Sequence, residues 1–190
     1  HPDEPSYHNG LGLAYFARSM NNEAIEQFKE AVRLDSKFSD GYLHLSAVYL
    51  SEKRWDDAIA AADSAVKNIF YRTPELAHLN RGLAFYNKGD YRNAFESFKK
   101  AVELNANFTP AYYNMGLTLD KMNSLREALE AFGYAVKLDD AYVDAHFNMG
   151  LAYIKLKNKA AALKEFEKVI TLAPQTQRAQ SAKDYINLLK

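Results

Sequence analysis

The sequence predicts an all-α fold in which helical hairpins repeat about every 34 residues and stack into a right-handed superhelical solenoid. Three observations predict it. The same residue types recur at a fixed interval, apolar residues within each interval have helical spacing, and only 8 Gly and 5 Pro interrupt 190 residues.

Small residues mark the first helix of every predicted hairpin at intervals of 34, 36, 34 and 34: Gly12, Ser46, Gly82, Gly116 and Gly150. An alanine follows twelve residues later, in the second helix: Ala24, Ala58, Ala94, Ala128 and Ala162. A larger residue usually comes four positions further on: Phe28, Ala62, Phe98, Phe132 and Phe166. We expect the small residues to let paired helices approach while the rings fill the remaining space. Five units result, at about 5–38, 39–74, 75–108, 109–142 and 143–174, within a single domain spanning 1–190.

The connections and the C-terminal end follow from shorter patterns. Polar turns are expected between paired helices, for example at Asn21-Asn22 and at Lys88-Gly89-Asp90. The second unit is two residues over period, and Thr73 before Pro74 predicts an N-cap at the start of the third pair. Residues 175–190 carry one apolar stripe and predict a helix that caps the stack.

Composition excludes several functional classes. With 24 basic and 24 acidic residues the formal charge is zero, which argues against a nucleic-acid-binding protein. No apolar run approaches the ~20 residues of a membrane helix, and cysteine is absent. His8, His78 and His146 occupy one repeat position in separate units, so we expect packing roles for them and no shared metal. No catalytic constellation, metal cluster or cofactor motif is present, so we expect a protein that is not an enzyme.

The repeat resembles a known family. The order His8-x2-Leu11-Gly12-x2-Tyr15 … Ala24-x3-Phe28 resembles the tetratricopeptide pattern W-x2-L-G-x2-Y … A-x3-F … P, over about residues 5–174. The departures are His or Tyr in place of Trp, Arg81 in place of leucine, Ala62 in place of Phe, and a terminal proline only at Pro174.

This resemblance implies a concave face lined by the first helix of each pair. Two positions before the small residue stand Gly10, His44, Asn80, Asn114 and Asn148. An Asn side chain offers one acceptor and two donors, which suits a peptide bond, so we predict a groove for an extended partner segment. Apolar neighbours complete the candidate groove: Leu83, Tyr86, Tyr113, Leu117, Phe147 and Leu151. The alternative is that the amides cap turns or are solvated and the apolar residues pack between units.

Two further features of the sequence bear on which contacts the protein makes. The groove positions include Asn9, Leu13 and Leu76 and offer no basic cluster, which disfavours recognition of a C-terminal carboxylate. Residues 1–66 carry 6 basic and 11 acidic side chains, and residues 155–190 carry 8 and 3. This asymmetry could favour head-to-tail contact, although two solvated ends are the interpretation that we prefer.

One segment resembles a narrower group. Asn68-Ile-Phe-Tyr-Arg-Thr-Pro-Glu-Leu-Ala-His-Leu-Asn-Arg-Gly82 and the ending from Ala173 are similar to bacterial outer-membrane lipoproteins for type IV pilus biogenesis, the pilotins. The resemblance implies a periplasmic protein, with a lipid anchor upstream of the chain and a secretin subunit as partner. The alternatives are a cytoplasmic scaffold of a regulatory or assembly complex and a helper module of an enzyme encoded on a missing segment.

Overall fold

The structure, a computed structural model, describes residues 3–189. The regular elements of this range are all helices: α1 Pro5–Ala17, α2 Asn21–Leu34, α3 Ser39–Ser51, α4 Trp55–Ala65, α5 Pro74–Lys88, α6 Tyr91–Leu104, α7 Thr109–Lys121, α8 Leu125–Leu138, α9 Val143–Lys155, α10 Lys159–Leu172 and α11 Gln177–Leu189. The predicted all-α class is therefore confirmed. Within residues 3–189 no helix is both long and apolar enough to span a bilayer.

The chain divides into two compact units, His1–Ala106 and Asn107–Lys190. The first contains the hairpins α1–α2, α3–α4 and α5–α6, and the second contains α7–α8 and α9–α10 followed by α11. Within each unit the second helix of one hairpin packs on the first helix of the next. A single domain over 1–190 stays a prediction.

Close helix packing at glycine is present in four hairpins. Phe28, Phe98, Phe132 and Phe166 are at most 1% exposed, and each lies against the glycine that precedes it by sixteen residues. A Cβ atom added at Gly116 would lie 2.6 Å from Cδ1 of Phe132, so only glycine fits without a shift. The second hairpin differs, because Ser46 replaces the glycine and Ala62 replaces the phenylalanine, and both residues are buried.

The turns inside the hairpins share one backbone conformation. A single residue with positive φ closes each turn: Ser19, Lys53, Gly89, Asn123 and Lys157. The next N–H donates to the carbonyl five residues earlier, as in Ser124 N to Leu119 O at 2.9 Å, which is a Schellman closure. The predicted turn at Asn21-Asn22 is wrong: the chain reverses at left-handed Ser19, and Asn21 begins α2.

The two extra residues lie in the connection between α4 and α5. This α4–α5 loop spans residues 66–73, whereas the comparable connections span only 35–38, 105–108 and 139–142. Pro74 begins α5 as predicted, and Thr73 occupies the N-cap position. Thr73 is therefore the N-cap as predicted, although its side chain makes no capping hydrogen bond.

The last helix packs as the apolar stripe predicts. Ala179 and Ala182 of α11 are fully buried, and the ring of Tyr185 stacks on Phe166 with centroids 5.2 Å apart. Arg178 forms a 2.6 Å ion pair with Asp144 of α9. α11 therefore covers apolar surface of α9 and α10 that would otherwise face water. Lys190, at the end of the predicted capping helix, lies outside the described residues, as do His1 and Pro2.

Candidate peptide-binding face

In the first unit, predicted groove residues of neighbouring hairpins bond to one another. His44 Nδ1 and Asn9 Oδ1 are 2.7 Å apart, which joins α3 to α1. Burial lowers the pKa of His44, with Asp40 opposing, so the imidazole is neutral at pH 7. A neutral ring that donates from Nδ1 keeps Nε2 as an acceptor.

Asn80 binds the second hairpin through its amide nitrogen. Nδ2 donates to Ser46 Oγ at 2.7 Å and more weakly to Leu43 O at 3.5 Å. The Oδ1 atom of Asn80 accepts no hydrogen bond from the described residues. The arrangement leaves an acceptor, and not the donor pair, for an external peptide N–H.

The second unit repeats this use of the amide. Asn114 Nδ2 donates to Pro110 O at 2.8 Å. Asn148 Nδ2 donates to Asp144 O at 2.8 Å and to Tyr113 Oη at 3.1 Å. Again no described residue donates to either Oδ1 atom. The amide nitrogens are thus used within the protein, as the alternative to a groove expects in part. The Oδ1 atoms accept no hydrogen bond from a described residue.

Tyr113 is held by rings and acts as an uncharged hydroxyl. Its ring centroid lies 4.9 Å from Tyr142 and 5.9 Å from Phe132. Burial, assisted by Asp144 and Tyr142, raises the pKa of Tyr113 to about 12. The hydroxyl therefore keeps its proton at physiological pH and accepts from Asn148.

The other predicted apolar residues differ in access. Four of them are half-buried: Leu83, Tyr86, Leu117 and Leu151. Phe147 is only 5% exposed, with its ring against Phe166 and Tyr185 and beneath the Arg178 guanidinium at 4.6 Å. A ligand could reach the half-buried side chains directly, but the Phe147 ring is covered by α11.

The histidine position is a packing position between paired helices. In two hairpins the residue there bonds to the side chain nineteen positions later, and in the first of them His8 Nδ1 lies 2.8 Å from Gln27 Oε1. His146 is 8% exposed, and its Nδ1 lies 2.7 Å from Glu165 Oε2. In the sequence, the residue nineteen positions after each of these histidines is polar, and the residue nineteen positions after each tyrosine is alanine. Residues 3–189 hold no group of three or more side chains suited to a metal ion.

Arg81, a departure from the repeat pattern, contacts its own hairpin and the preceding one. Its Nη1 donates to Ser97 Oγ at 2.8 Å, and its Nε lies 2.8 Å from Asp63 Oδ1 in the preceding hairpin. The guanidinium also stands over the Phe85 ring at 4.9 Å. Arg81 therefore adds a contact between hairpins at a position where the repeat pattern has leucine.

Sequence reasoning missed the partners of the groove amides. Ser46 and Tyr113 accept hydrogen bonds from the amides of the next hairpin. Arg178 of α11 pairs with Asp144 of α9, which was also not predicted. Only Ser46 left a trace in the sequence, as the single hydroxyl among the small residues of the first helices. The other contacts depend on how neighbouring hairpins rotate against each other, which spacing alone does not show.

Comparison with known proteins agrees with this architecture. Two family models, both described as tetratricopeptide repeat, match residues 76–108 and residues 9–73 and 113–176. Among curated proteins, human tetratricopeptide repeat protein 13 is 27% identical over 111 residues, which cover 58% of this chain and 13% of that protein. The probable UDP-N-acetylglucosamine–peptide N-acetylglucosaminyltransferase SPINDLY of Hordeum vulgare is 27% identical over 109 residues, 55% of this chain and 12% of that protein. The chain thus spans about an eighth of these relatives.

Solved structures share the fold at low identity. YrrB, described as having an unusual peptide-binding site, has a TM-score of 0.76 at 23% identity, covering 96% of this chain and 93% of that one. MamA has a TM-score of 0.79 at 23% identity, covering 90% and 92%. Pseudomonas aeruginosa pilF has a TM-score of 0.80 at 18% identity, covering 97% and 88%. Together with the family models, which match well over half of the residues, these likenesses confirm the predicted solenoid fold: the chain belongs to the tetratricopeptide repeat family.

Proposed function

We propose that this protein is a non-catalytic scaffold that holds a partner segment on the first-helix faces of its hairpins. Tetratricopeptide repeats are protein–protein interaction modules, which supports the general role. The observation that carries the proposal is the shared state of Asn80, Asn114 and Asn148. Each uses its amide nitrogen within the protein and keeps its Oδ1 open.

Chemically, such a face binds a backbone without reading its sequence. Open Oδ1 atoms accept peptide N–H groups, and the half-buried Leu83, Leu117 and Leu151 contribute apolar contact. The hydrogen bonds inside the protein hold each amide in one orientation, which lowers the entropy lost on binding. An extended segment, whose N–H groups are unpaired, is the matching ligand.

The finer proposal is a pilotin-like role in type IV pilus assembly, with a secretin subunit as partner. Its supports are the 68–82 segment, the residues after Ala173 and the fold shared with pilF. A periplasmic site and a lipid anchor upstream of this chain belong to the same proposal. The reading frame upstream of His1 tests them. A lipoprotein signal peptide there would support the anchor, and a start codon with no signal peptide would contradict it.

The groove itself is tested by capture of the secretin. Replacing Asn80, Asn114 and Asn148 together with alanine removes three acceptors, and we expect secretin to be lost when the variant is purified from the native organism. Asn87→Ala is the matched control. Asn87 is an exposed amide of α5 that makes the same contact with the carbonyl four residues earlier, 2.8 Å from Leu83 O. Undiminished capture by the triple variant would contradict the assignment of the groove.

A second candidate is a helper module within a longer enzyme. The partial match to SPINDLY, of which this chain covers 12%, is the observation that favours it. A cytoplasmic scaffold is the remaining alternative from the sequence. A catalytic domain in the same reading frame would support the helper module and oppose both scaffold proposals.

A further inference from the structure

The α4–α5 loop exposes two large apolar side chains side by side. Ile69 and Phe70 are each 85% exposed, more than any other large apolar residue described. Water contact with such adjacent side chains is unfavourable, and paired exposed apolar residues often mark an interaction site. The loop shares no residue with the predicted groove.

Hydrogen bonds hold this pair outward. Asn68 Nδ2 donates to Lys37 O at 3.2 Å, which ties the loop to the α2–α3 connection. Within the loop, Phe70 N donates to Asn68 Oδ1 at 3.0 Å and Tyr71 N donates to Asn68 O at 3.0 Å. The apolar pair thus stands at the tip of a closed turn instead of folding back onto the helices.

An apolar cavity lined by two lysine side chains opens on one side of Phe70. It measures about 450 Å³ and is lined by Ser36, Lys37, Ser64, Lys67, Ile69 and Phe70, together with Asn68. No carboxylate lines it, and neither lysine forms an ion pair with a described residue. The cavity therefore complements a ligand that presents an apolar side chain next to a carboxylate.

A polar cavity of about 400 Å³ opens on the other side of Phe70. Ser39 lines it and is 6% exposed, and its Oγ has no hydrogen-bond partner among the described residues. Tyr71 also lines it, and burial raises the pKa of Tyr71 to about 12, so that hydroxyl stays protonated. Buried hydroxyls of this kind suit the N–H and C=O groups of a peptide main chain.

We propose that the α4–α5 loop and the α2–α3 connection form a second docking surface, which binds an extended acidic segment of a partner protein across Phe70. An apolar residue of that segment enters between Lys37 and Lys67, with a neighbouring carboxylate on the lysines. Its main chain then continues along Ser39 and Tyr71.

The charges around Phe70 favour an acidic segment over two other occupants, an anionic bilayer and a second copy of the chain. Asp35 and Asp40 line the polar cavity beside Lys37 and Arg72, so this side of Phe70 has no excess positive charge with which to attract an anionic bilayer. A symmetric contact with a second copy would bring Lys37 and Lys67 of both copies to the same patch. A single segment avoids both conflicts if its carboxylate lies on Lys37 and Lys67 and only its uncharged main chain lies along Ser39 and Tyr71.

Two synthetic peptides with the same Leu-Phe core, one flanked by glutamates and one by lysines, test the proposal. We expect the glutamate peptide to shift amide resonances of residues 36–39 and 64–73 in nuclear magnetic resonance spectra. We also expect it to bind at least about tenfold more tightly than the lysine peptide in anisotropy titrations. Equal affinities, or shifts confined to other residues, would overturn the proposal.

Variants then separate the two surfaces. Ile69→Ser with Phe70→Ser should weaken the glutamate peptide by about tenfold or more. Lys37→Glu with Lys67→Glu should reverse the preference between the peptides. Leu188→Ser is the matched control, because Leu188 is 81% exposed in α11, far along the chain. The triple Asn→Ala variant of the groove should bind the glutamate peptide normally, so failure of either proposal is recognised separately.

Competing occupants give distinct results. Binding to phosphatidylglycerol vesicles that disappears with Ile69→Ser and Phe70→Ser would overturn the protein partner in favour of a membrane. A dimer that the same change dissociates would assign the patch to a second copy. Thermal unfolding should be unchanged in these variants, because both side chains are 85% exposed.

Discussion

At the scale of single residues, the contact between a glycine and a phenylalanine sixteen positions apart determines how closely paired helices pack. The rings of Phe28, Phe132 and Phe166 lie where a Cβ on the opposing glycine would come within 2.6 Å. Packing this tight has little slack, because protein interiors are already as dense as organic crystals. The glycine is therefore selected by the ring, and not by any need for unusual backbone angles.

We expect Gly116→Ala to destabilise the protein by about 1–3 kcal/mol, since the new methyl group meets Phe132. Gly133→Ala is the control. Gly133 lies inside α8, where an added Cβ meets nothing within 4 Å, so helix propensity should stabilise this variant by about 0.5–1 kcal/mol. Urea unfolding of both variants measures the difference. Equal effects would contradict the steric explanation.

The position shared by His8, His78 and His146 shows how one side chain adapts to another. Burial is the main cause that lowers the pKa of His78; Arg81 and Lys100 lower it further, and Asp63 opposes them. No described residue bonds to its Nδ1. His78 therefore folds as the neutral form.

A histidine whose pKa is lower in the folded state takes up protons preferentially when unfolded. Stability should therefore be unaffected above the unfolded pKa of about 6.5 and should fall as the pH drops below it. We expect His78→Tyr, which introduces the residue found in two other hairpins, to make the unfolding free energy fall less steeply as the pH drops. The slope of that free energy against pH should decrease by at most about the amount that uptake of one proton produces. Unfolding free energies measured between pH 7.5 and pH 5 check this, and an unchanged slope would contradict it.

At the scale of elements, α11 acts through packing and one ion pair. Tyr185 stacks on Phe166 at an interplanar angle of 8°, and Arg178 links to Asp144. Asp144 and Arg178 are each more than 40% exposed, so the ion pair is worth less than about 1 kcal/mol. Most of the stabilisation from α11 must come from the apolar surface that it covers.

We expect Tyr185→Ala to destabilise the second unit by about 2–4 kcal/mol, because it uncovers Phe166 and removes a ring. Leu188→Ala is the matched control, with 81% of its side chain already exposed, and should change stability by less than about 0.5 kcal/mol. Amide hydrogen exchange in α9 and α10 should accelerate only in the Tyr185 variant. Similar exchange in both variants would mean that α11 does not protect these helices.

Elements also show how far a sequence can be interpreted. Spacing predicted the buried residues, because a helical hairpin repeats its own geometry wherever it occurs. Spacing did not predict Asn80 to Ser46 or Arg81 to Asp63, which join different hairpins. Such contacts depend on how neighbouring hairpins rotate against each other, which the spacing within a hairpin does not determine. The α4–α5 loop was visible in the sequence as extra length, but not as a surface.

At the scale of the whole molecule, charge is balanced in sum and uneven along the chain. Residues 1–66 carry an excess of acidic side chains and residues 155–190 an excess of basic ones. Exposed charges of this kind are screened within about 8 Å at physiological salt. Their long-range attraction between molecules should therefore be weak.

We expect the average molecular mass from analytical ultracentrifugation to be the same at low and at physiological ionic strength. This result would agree with two solvated ends, the interpretation preferred from the sequence. A larger mass at low salt, lost on adding salt, would instead support head-to-tail contact between the acidic and basic ends. The Ile69 and Phe70 variants separate this electrostatic association from one mediated by the loop.

The location of the glycine–phenylalanine contact has a consequence for how such arrays evolve. Both partners lie within one hairpin, so a gene duplication that copies a whole hairpin inherits a matched pair and needs no second mutation. Contacts between hairpins are different, since His44 bonds to Asn9, Asn80 to Ser46 and Asn148 to Tyr113 across successive hairpins. Loss or copying of a single hairpin would separate such partners, so these polar contacts must be rebuilt at each new junction while the glycine–phenylalanine contact is kept.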